Sequence, residues 1–448
     1  MEEQLLDKTY VADFMRLRYE PLFDAYIAIY PHERRELRVL NTASAEFLLL
    51  VSNGLPPREA CRRLHARHPS LCMEELLANA SRLVSHLLQL RALKSGSVED
   101  RTDSLVCARE LDATTPAPGR AWRPWRVQVA INEDCDLRCR HCYTRSAAHS
   151  MALSDFRRLL AALSELGIMQ IELVGGEPSL HPEFQQIVYD CIQARMAVRI
   201  FTNGQSLTSQ VIQFVAPLAQ FNVALHGEPA YHDDFVGKPG AAERLLQTAA
   251  ALRDAGGEVS LLAAVNTLNI GQLDYLAAQS RRLQVRFNPL PVIPSGRALR
   301  EFDFDPIDYM RVASRLARFR RRAGDPSLRG VTGVRLPRDL ICQGGRSFFY
   351  VSARLEVYPC PLFVTPEFRA GHALNDDLSE LWLKAPVFAA FSSGGPSNVE
   401  PCDSCTDSYC LYWCKATLYH FTGSLKEAPP YCPRVAALSK RSNKSRGL

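Results

Sequence analysis

Three cysteines with C-x3-C-x2-C spacing, Cys135, Cys139 and Cys142, constrain this chain more than any other feature. They fall within eight residues directly after a predicted strand, and no fourth cysteine lies nearby. Three thiolates this close can hold three corners of one iron–sulfur cube, a cluster that usually takes four cysteines. The fourth iron would be open to a small molecule, so the cluster would do chemistry as well as carry electrons.

The alternative is a zinc site, because Zn²⁺ also binds three cysteines and a histidine. His141 adjoins Cys142 and is poorly placed to complete a tetrahedron. The cysteine spacing resembles that of the radical S-adenosylmethionine (SAM) enzymes. Short motifs also occur by chance, so this resemblance needs support from other segments.

Composition describes an ordinary globular protein, with 47% apolar and 23% charged residues among 448. The net charge of +5 is too small to argue for or against nucleic acid. No secretory signal and no apolar run of membrane-spanning length is present, so we expect a cytoplasmic protein whose partners are neither nucleic acid nor membrane. There the fourteen cysteines should stay reduced. Ten of them fall in two groups, within 135–142 and 342–432, which favours metal sites over disulfides.

Residues 1–94 are expected to form a small α+β domain of winged-helix type. Strands are predicted at 25–30 and 37–40, and helices at 42–51, 57–68 and 73–93. The stretch LNTASAEFLLLVSNGLPPREACRRL resembles the recognition domain of ribosomal-peptide maturases, the fold of the pyrroloquinoline quinone peptide chaperone. That resemblance implies that a leader peptide adds a strand to the sheet edge.

Two other interpretations of this first domain stay open. The arginines of its second helix could contact DNA phosphates, or they could form a solvated face of a packing domain. Residues 95–121 have the composition of a linker, including Pro116, Pro118 and Gly119.

Residues 122–322 alternate predicted strands and helices, which indicates parallel β-α units. Six strands suggest an α/β fold, a partial (β/α)6 TIM-type barrel. The predicted strands are 126–131, 169–174, 198–202, 221–225, 259–265 and 284–288.

Unusual turns follow the first four of these strands, where barrel enzymes place functional residues. They are the cysteine motif, Gly175-Gly176-Glu177-Pro178, Thr202-Asn203-Gly204 and His226-Gly227. The radical SAM resemblance implies that Gly175, Gly176, Glu177 and Pro178 bind the SAM amino group. It also implies that His141 lies by the adenine and that Thr202 and Asn203 lie on the ribose side.

Residues 226–239 and 288–298 resemble the peptide-modifying branch of this family. The sequence assigns no individual role to His232, Asp233 or Arg297 in these stretches. Helix capping and loop closure are the alternative for all three.

Seven cysteines in the last third of the chain resemble the SPASM domain of peptide-modifying radical SAM enzymes, which carries two auxiliary clusters. The resemblance assigns Cys342, Cys360 and Cys414 to the first auxiliary cluster and Cys402, Cys405, Cys410 and Cys432 to the second. Two departures concern local geometry. The gap between Cys405 and Cys410 is one residue short, and Leu355 stands where glycine is usual. A zinc ribbon is the alternative. We expect this SPASM domain at 323–438, followed by a disordered basic tail at 439–448.

Together these features predict a radical SAM/SPASM enzyme with a fused leader-recognition domain. The family implies SAM and three 4Fe–4S clusters, reductive cleavage of SAM to a 5′-deoxyadenosyl radical, and modification of a precursor-peptide side chain, for which we expect cross-linking. A reducing partner such as flavodoxin or ferredoxin is also implied. The alternatives are a SPASM enzyme acting on haem or a folded sulfatase and, more remotely, a DNA-binding iron–sulfur regulator, which leaves residues 175–178 unexplained. No catalytic acid or base is assigned.

Overall fold

The computed structural model describes most of the chain, and the chain divides into two compact units, formed chiefly by residues 1–115 and by most of 116–448. The described residues are 5–12, 15–20, 25–29, 37–89, 93–96, 105–108, 120–121, 123–144, 149–323, 342–393, 399–405 and 413–435.

The first unit contains a four-stranded sheet and a two-stranded one. In the larger sheet, β2 (Met15–Glu20), β3 (Ala25–Ile29) and β4 (Leu37–Asn41) pair antiparallel in chain order. The two predicted strands thus form, while residues 30–36 between them lie outside the described residues. The smaller sheet pairs β1 (Tyr10–Ala12) with β5 (Leu93–Ser95).

Three helices follow the sheet, as the sequence predicts. They are α1 (Thr42–Ser52), α2 (Pro57–Arg67) and α3 (Met73–Gln89). The Asn41 side chain caps α1 by accepting a hydrogen bond from the Ser44 N–H at 2.7 Å. The apolar faces of these helices form the unit's own core, around residues such as Leu48, Leu64 and Val84. The third helix ends earlier than predicted, because its last predicted residue, Leu93, belongs to β5.

One further strand lies in the stretch expected to be a linker. Residues Leu105–Ala108 form β6, which pairs parallel to β2. Composition indicates only a tether for 95–121, because a four-residue strand carries too little periodicity to stand out among its polar neighbours.

The second unit is built on six parallel strands that pair in chain order. They are β7 (Arg126–Ala130), β8 (Gln170–Val174), β9 (Ala197–Thr202), β10 (Gln220–Ala224), β11 (Glu258–Val265) and β12 (Arg286–Pro291). This is the predicted partial barrel, with strand bounds within a few residues of those expected. Alternate side chains such as Val127, Leu173 and Ile200 are buried against the surrounding helices.

Helices lie between these strands along the chain, and two more follow the last strand. They are α4 (Leu153–Glu165), α5 (Phe184–Gln193), α6 (Ser209–Val215), α7 (Pro229–Val236), α8 (Ala241–Asp254), α9 (Leu273–Leu283), the single turn α10 (Ala298–Glu301) and α11 (Pro306–Ala323). No helix in the described part of the chain has the length and apolar character needed to cross a membrane.

The C-terminal part of this unit continues the barrel sheet. Strand β13 (Phe348–Val351) pairs parallel to β7, and β14 (Glu356–Tyr358) and β15 (Gly371–His372) extend the sheet antiparallel. Phe349 and Trp382 are buried in the same core as the barrel strands. The regions expected as successive core and SPASM domains therefore share one hydrophobic core. The remaining helices are α12 (Leu378–Lys384), α13 (Pro386–Ser392) and α14 (Lys415–Thr422).

Candidate active site and metal-binding cysteines

The loop after β7 carries the three clustered cysteines. Its backbone is tied to the end of α7, because the Arg138 and Arg140 N–H groups donate to the carbonyl oxygens of Val236 and Phe235 at 2.9 and 3.0 Å. The thiols of Cys135, Cys139 and Cys142 are free and only partly exposed. The loop thus presents three thiols that form no disulfide, from a backbone held by hydrogen bonds.

Burial is the main influence on these thiols. It raises the pKa of Cys135 to about 11 and that of Cys139 to about 12, and the charge of Cys142 acts on both in the same direction. The three groups are therefore close enough to influence one another. Iron would bind the thiolate forms, so cluster formation would release protons from these residues.

Gly175 and Gly176 lie directly against the cysteine loop. The Gly176 N–H donates to the Asn132 carbonyl at 3.1 Å, and the Glu177 N–H donates to the Asp134 carbonyl at 2.7 Å. A Cβ at Gly175 or Gly176 would overlap the backbone oxygen of Asn132 or Asp134. Only glycine allows the β8 turn to approach the cysteine loop this closely.

The Glu177 carboxylate joins the ends of β8 and β9. It accepts hydrogen bonds from the Thr202 hydroxyl at 2.8 Å, the Asn203 N–H at 2.7 Å, and both the N–H and hydroxyl of Ser179. Burial raises its pKa, while these hydrogen bonds act to lower it. Pro178 then opens a single 3-10 turn. The carboxylate is thus used internally, whereas no described residue donates a backbone hydrogen bond to the carbonyl oxygens of Gly175 and Gly176.

Asn203 connects the end of β9 to the cysteine loop. Its side-chain nitrogen lies 2.8 Å from Asp136 Oδ1 and 3.7 Å from Cys135 Sγ, and donates to both. Lys238 also contacts the Asp136 carboxylate, at 3.0 Å. The structure therefore brings residues 175–178, 202–203 and the first cysteine together at one rim, as the sequence predicts from their positions after neighbouring strands.

His141 belongs to a buried group of aromatic rings. Its ring stacks on Phe235 at 5.0 Å between centroids and meets His226 edge-on at 4.7 Å. His226 stacks in turn on His232, whose Nδ1 accepts a hydrogen bond from the His226 N–H. Burial lowers the pKa of His141 and of His232 to about 4 and that of His226 well below its usual range, so all three rings are neutral at pH 7.

Arg297 is one of the three residues to which the sequence assigns no individual role. Its Nη1 donates to the Cys139 carbonyl at 2.7 Å, and its backbone N–H donates to the Cys142 carbonyl at 2.8 Å. Gly296 lies against Tyr143 so closely that a Cβ would overlap its Cα. The Pro294-Ser295-Gly296-Arg297 stretch is visible in the sequence, but its partner is not.

Three of the C-terminal cysteines come together from distant parts of the chain. Cys360 ends the β13–β14 hairpin, Cys342 precedes it and Cys414 precedes α14. Burial raises the pKa of Cys360 well above its usual range, and the charges of Cys342 and Cys414 raise it further. Burial and the charge of Cys342 raise the pKa of Cys414. These are the residues predicted to hold the first auxiliary cluster.

The second predicted set is described in part. Cys402 and Cys405 share one turn, in which the Cys405 N–H donates to the Cys402 carbonyl at 3.1 Å. Cys432 packs beside Tyr309 and Tyr431, so its grouping with the other two stays a prediction. Cys410 lies outside the described residues.

The cysteines can be compared with the two kinds of metal site. Within the residues that the structure describes, no three His, Cys, Asp or Glu side chains form a group that could hold one metal ion. A tetrahedral zinc site needs its sulfurs about 2.3 Å from a single point, whereas in an iron–sulfur cube each cysteine binds a separate corner iron. Three reduced thiols in one short loop suit the corners of a cube, and the choice of cube over zinc stays a prediction.

Two family models match the second unit. Residues 129–277 match the radical SAM superfamily, and residues 342–406 match SPASM, described as an iron–sulfur cluster-binding domain. The chain is a radical SAM enzyme with a SPASM region. Its two matched domains imply SAM and 4Fe–4S clusters as cofactors, which the thiols and glycine turn described above suit.

Relatives and solved structures extend this assignment. The chain is 28% identical to mycofactocin maturase MftC of Mycobacterium ulcerans over 329 residues, 69% of this chain and 86% of that protein. It is 24% identical to the AdoMet-dependent heme synthase of Methanosarcina barkeri over 340 residues, 69% of this chain and 96% of that protein. Its fold is similar to that of Streptococcus suis SuiB bound to precursor peptide SuiA. That match has a TM-score of 0.62 and 16% identity, and it covers 95% of this chain and all of the other.

Proposed function

We propose that this enzyme modifies, and cross-links, a side chain of a ribosomally made precursor peptide. The observation that carries the proposal is the extent of the fold likeness to SuiB. It covers 95% of this chain, whereas the sequence matches to MftC and to heme synthase each cover 69%. SuiB was solved with its precursor peptide bound. The architecture shared with SuiB therefore includes most of the N-terminal unit.

The N-terminal unit supplies a sheet edge suited to a leader peptide. Strand β2 is flanked on both sides, by β3 and β6, whereas β4 pairs with β3 alone among the described residues. An extended peptide can add to such an edge through main-chain hydrogen bonds. Binding the leader there would raise the effective concentration of the attached segment at the barrel.

At the barrel rim, Cys135, Cys139 and Cys142 would hold the SAM-binding cluster. When bound, the cluster and SAM supply the radical chemistry that removes hydrogen from an unactivated carbon, while the protein supplies orientation. The carbonyls of Gly175 and Gly176 have no described backbone donor and suit the SAM ammonium. His141 would lie by the adenine, and Thr202 and Asn203 by the ribose. Glu177 and Pro178 would set the shape of the turn.

The C-terminal cysteines would hold two auxiliary clusters, giving three in all. Cys342, Cys360 and Cys414 would bind one of them. The other would be bound by the four remaining cysteines, Cys402, Cys405, Cys410 and Cys432. A flavodoxin or ferredoxin would supply the reducing electron.

A haem-directed reaction is the second candidate, favoured by the match to heme synthase over 96% of that protein. That match covers 69% of this chain and leaves the rest without a counterpart. The N-terminal unit folds around its own core. A haem-modifying reaction assigns no role to this unit. Peptide modification uses both units.

The testing experiment measures 5′-deoxyadenosine release by the full chain, reconstituted anaerobically with iron and sulfide and supplied with SAM and dithionite. We expect release by the wild type and by Cys72→Ser, whose thiol is exposed and outside the predicted sets, and none by Cys139→Ala. Candidate precursor peptides are then added and the products analysed by mass spectrometry. A mass loss of two hydrogens in a peptide supports cross-linking. Zinc in place of iron, or turnover of a porphyrin but of no peptide, would overturn the proposal.

A further inference from the structure

A cavity of about 1090 Å³ lies at the N-terminal ends of β9–β12, beside α9 and α11. Its lining is rich in arginine: Arg199, Arg281, Arg286, Arg315, Arg318 and Arg322. A seventh, the buried Arg320, donates to Asn288 Oδ1 at 2.7 Å and to the Pro289 carbonyl at 2.8 Å, and so fixes α11 on β12. The carboxylates of the lining are those of Glu258 and Asp274.

Most of this positive charge is not neutralised by the protein. Arg286 pairs with Glu258 at 2.8 Å and Arg199 with Glu172 at 3.1 Å. Four other arginines of the lining form no ion pair with any acidic side chain that the structure describes: Arg281, Arg315, Arg318 and Arg322. Seven arginines against the carboxylates of Glu258, Asp274 and Glu172 leave an excess of four positive charges at this site. The lining of the cavity is thus strongly positive.

The spacing of the arginines on α11 accounts for their common direction. Arg315, Arg318 and Arg322 are three and four residues apart, so they lie on one face of the helix. Like charges at these spacings destabilise a helix, which is a cost that an anionic ligand would remove. Phe287 and Phe319 meet edge-on at 5.8 Å in the same lining and add an apolar surface.

We propose that this cavity binds an acidic peptide segment, which belongs to the same precursor that the barrel modifies. The inference rests on the proposed function and adds the chemical class of the substrate. Guanidinium groups bind carboxylates through paired hydrogen bonds. The side-chain amides of Asn222 and Asn288 in the lining can pair with a peptide backbone, and the phenylalanine rings can contact its apolar side chains.

The cavity is poorly placed for direct electron donation to the SAM-binding cysteines. The cavity lies at the N-terminal ends of the strands, whereas the cysteine loop follows the C-terminal end of β7. Strand β11 has eight residues, which span about 26 Å at about 3.3 Å per residue. A donor bound in the cavity would be a strand's length away from the SAM-binding cysteines.

The test uses the full-length protein and a fluorescein-labelled hexaglutamate peptide, with fluorescence anisotropy as the readout and no SAM present. We expect saturable binding that weakens with salt and is absent for a hexaglutamine peptide. Arg315→Glu/Arg318→Glu should weaken binding about tenfold or more, and the milder Arg315→Gln/Arg318→Gln should weaken it less. Arg282→Glu is the matched control: it changes an exposed arginine on α9 that contacts Gln279 and is not part of the lining.

Equal affinity of wild type and both double variants, or equal losses in the Arg282→Glu control, would overturn the inference. Tighter competition by ATP or inorganic triphosphate than by hexaglutamate would also overturn it, in favour of a phosphate site. Because this assay contains no SAM or reductant, its failure is distinguishable from failure of 5′-deoxyadenosine release. If hexaglutamate does not bind while 5′-deoxyadenosine is still released, the proposed substrate class is wrong and the proposed function stands.

Discussion

The guanidinium of Arg297 donates a hydrogen bond to the carbonyl oxygen of Cys139 across 158 residues of sequence, at 2.7 Å. The backbone N–H of the same residue donates to the Cys142 carbonyl. Two of the three clustered cysteines are thus held by one residue of the loop after β12. The loop after the last barrel strand therefore holds the cysteine loop that follows the first.

Replacing Arg297 with methionine should loosen the cysteine loop. A hydrogen bond from a charged donor contributes about 1.5–3 kcal/mol, so we expect the KM for SAM to rise about tenfold and the iron content per chain to fall. Iron assay and SAM titration of the reconstituted protein measure both. Arg300→Met changes an exposed residue of α10, the short helix that follows Arg297, and should behave as wild type. Unchanged iron content and KM in Arg297→Met would show that the contact is dispensable.

A methyl group at Gly176 should be more damaging than one at Gly271. In Gly176→Ala the new Cβ would overlap the Asp134 backbone carbonyl, so either β8 or the cysteine loop must move. Overpacking of this kind costs about 1–3 kcal/mol. We expect a lower melting temperature and weak SAM binding. No neighbouring atom lies within 4 Å of the position that a Cβ at Gly271 would occupy, so Gly271→Ala should leave both quantities unchanged. Equal effects of the two substitutions would refute this explanation.

The sequence predicts those parts of the site that depend on neighbouring parallel strands. Residues 135–142, 175–178 and 202–204 follow three adjacent strands, so their meeting at one rim follows from the alternation of strands and helices alone. Cys342 and Cys360 lie on the two sides of one hairpin, β13 and β14, so their approach also depends on residues close in sequence.

Other features depend on pairings that leave no local signal. The parallel pairing of β13 with β7 joins residues more than 200 positions apart, and it merges regions that composition separates. The contact of Arg297 with Cys139 also joins residues that are far apart in sequence. The Gly296-Arg297 pair by itself carries no signal that identifies its partner. The grouping of His141, His226 and His232 cannot be predicted because its members come from two loops and a helix whose faces meet only in the folded barrel.

The buried histidines should make stability depend on pH in the weakly acidic range. Unfolded, His232 titrates near 6.5, whereas burial lowers its pKa to about 4 in the folded protein. Between these values the unfolded chain binds a proton that the folded chain does not, so stability is lost as the pH falls from 6.5 to 4. This pKa shift corresponds to a loss of about 3 kcal/mol in the free energy of unfolding once the pH has fallen to the lower pKa.

Thermal unfolding of the metal-free protein at pH 7, 6 and 5 measures this effect. His232→Asn keeps an acceptor for the His226 N–H but cannot titrate, so its melting temperature should fall less steeply with decreasing pH than that of the wild type. His68→Asn changes a histidine whose side chain is 44% exposed and should follow the wild-type slope. An unchanged slope in His232→Asn would assign the acid sensitivity to other groups.

The auxiliary cysteines should be separable from the SAM-binding ones by iron content. Three cubes of four irons give about twelve irons per chain. Cys360→Ser removes a partly buried thiol that lies with Cys342 and Cys414, so we expect the iron content to fall to about eight. Cys135, Cys139 and Cys142 stay intact in this variant. Addition of SAM should therefore still perturb the electron paramagnetic resonance spectrum of the reduced protein, as we expect it to do in the wild type. Cys139→Ala should lose that perturbation and also about four irons.

Cys72→Ser is the control and should retain the full iron content. If Cys360→Ser keeps about twelve irons, Cys360 binds no cluster, and the hairpin of β13 and β14 serves the barrel sheet alone.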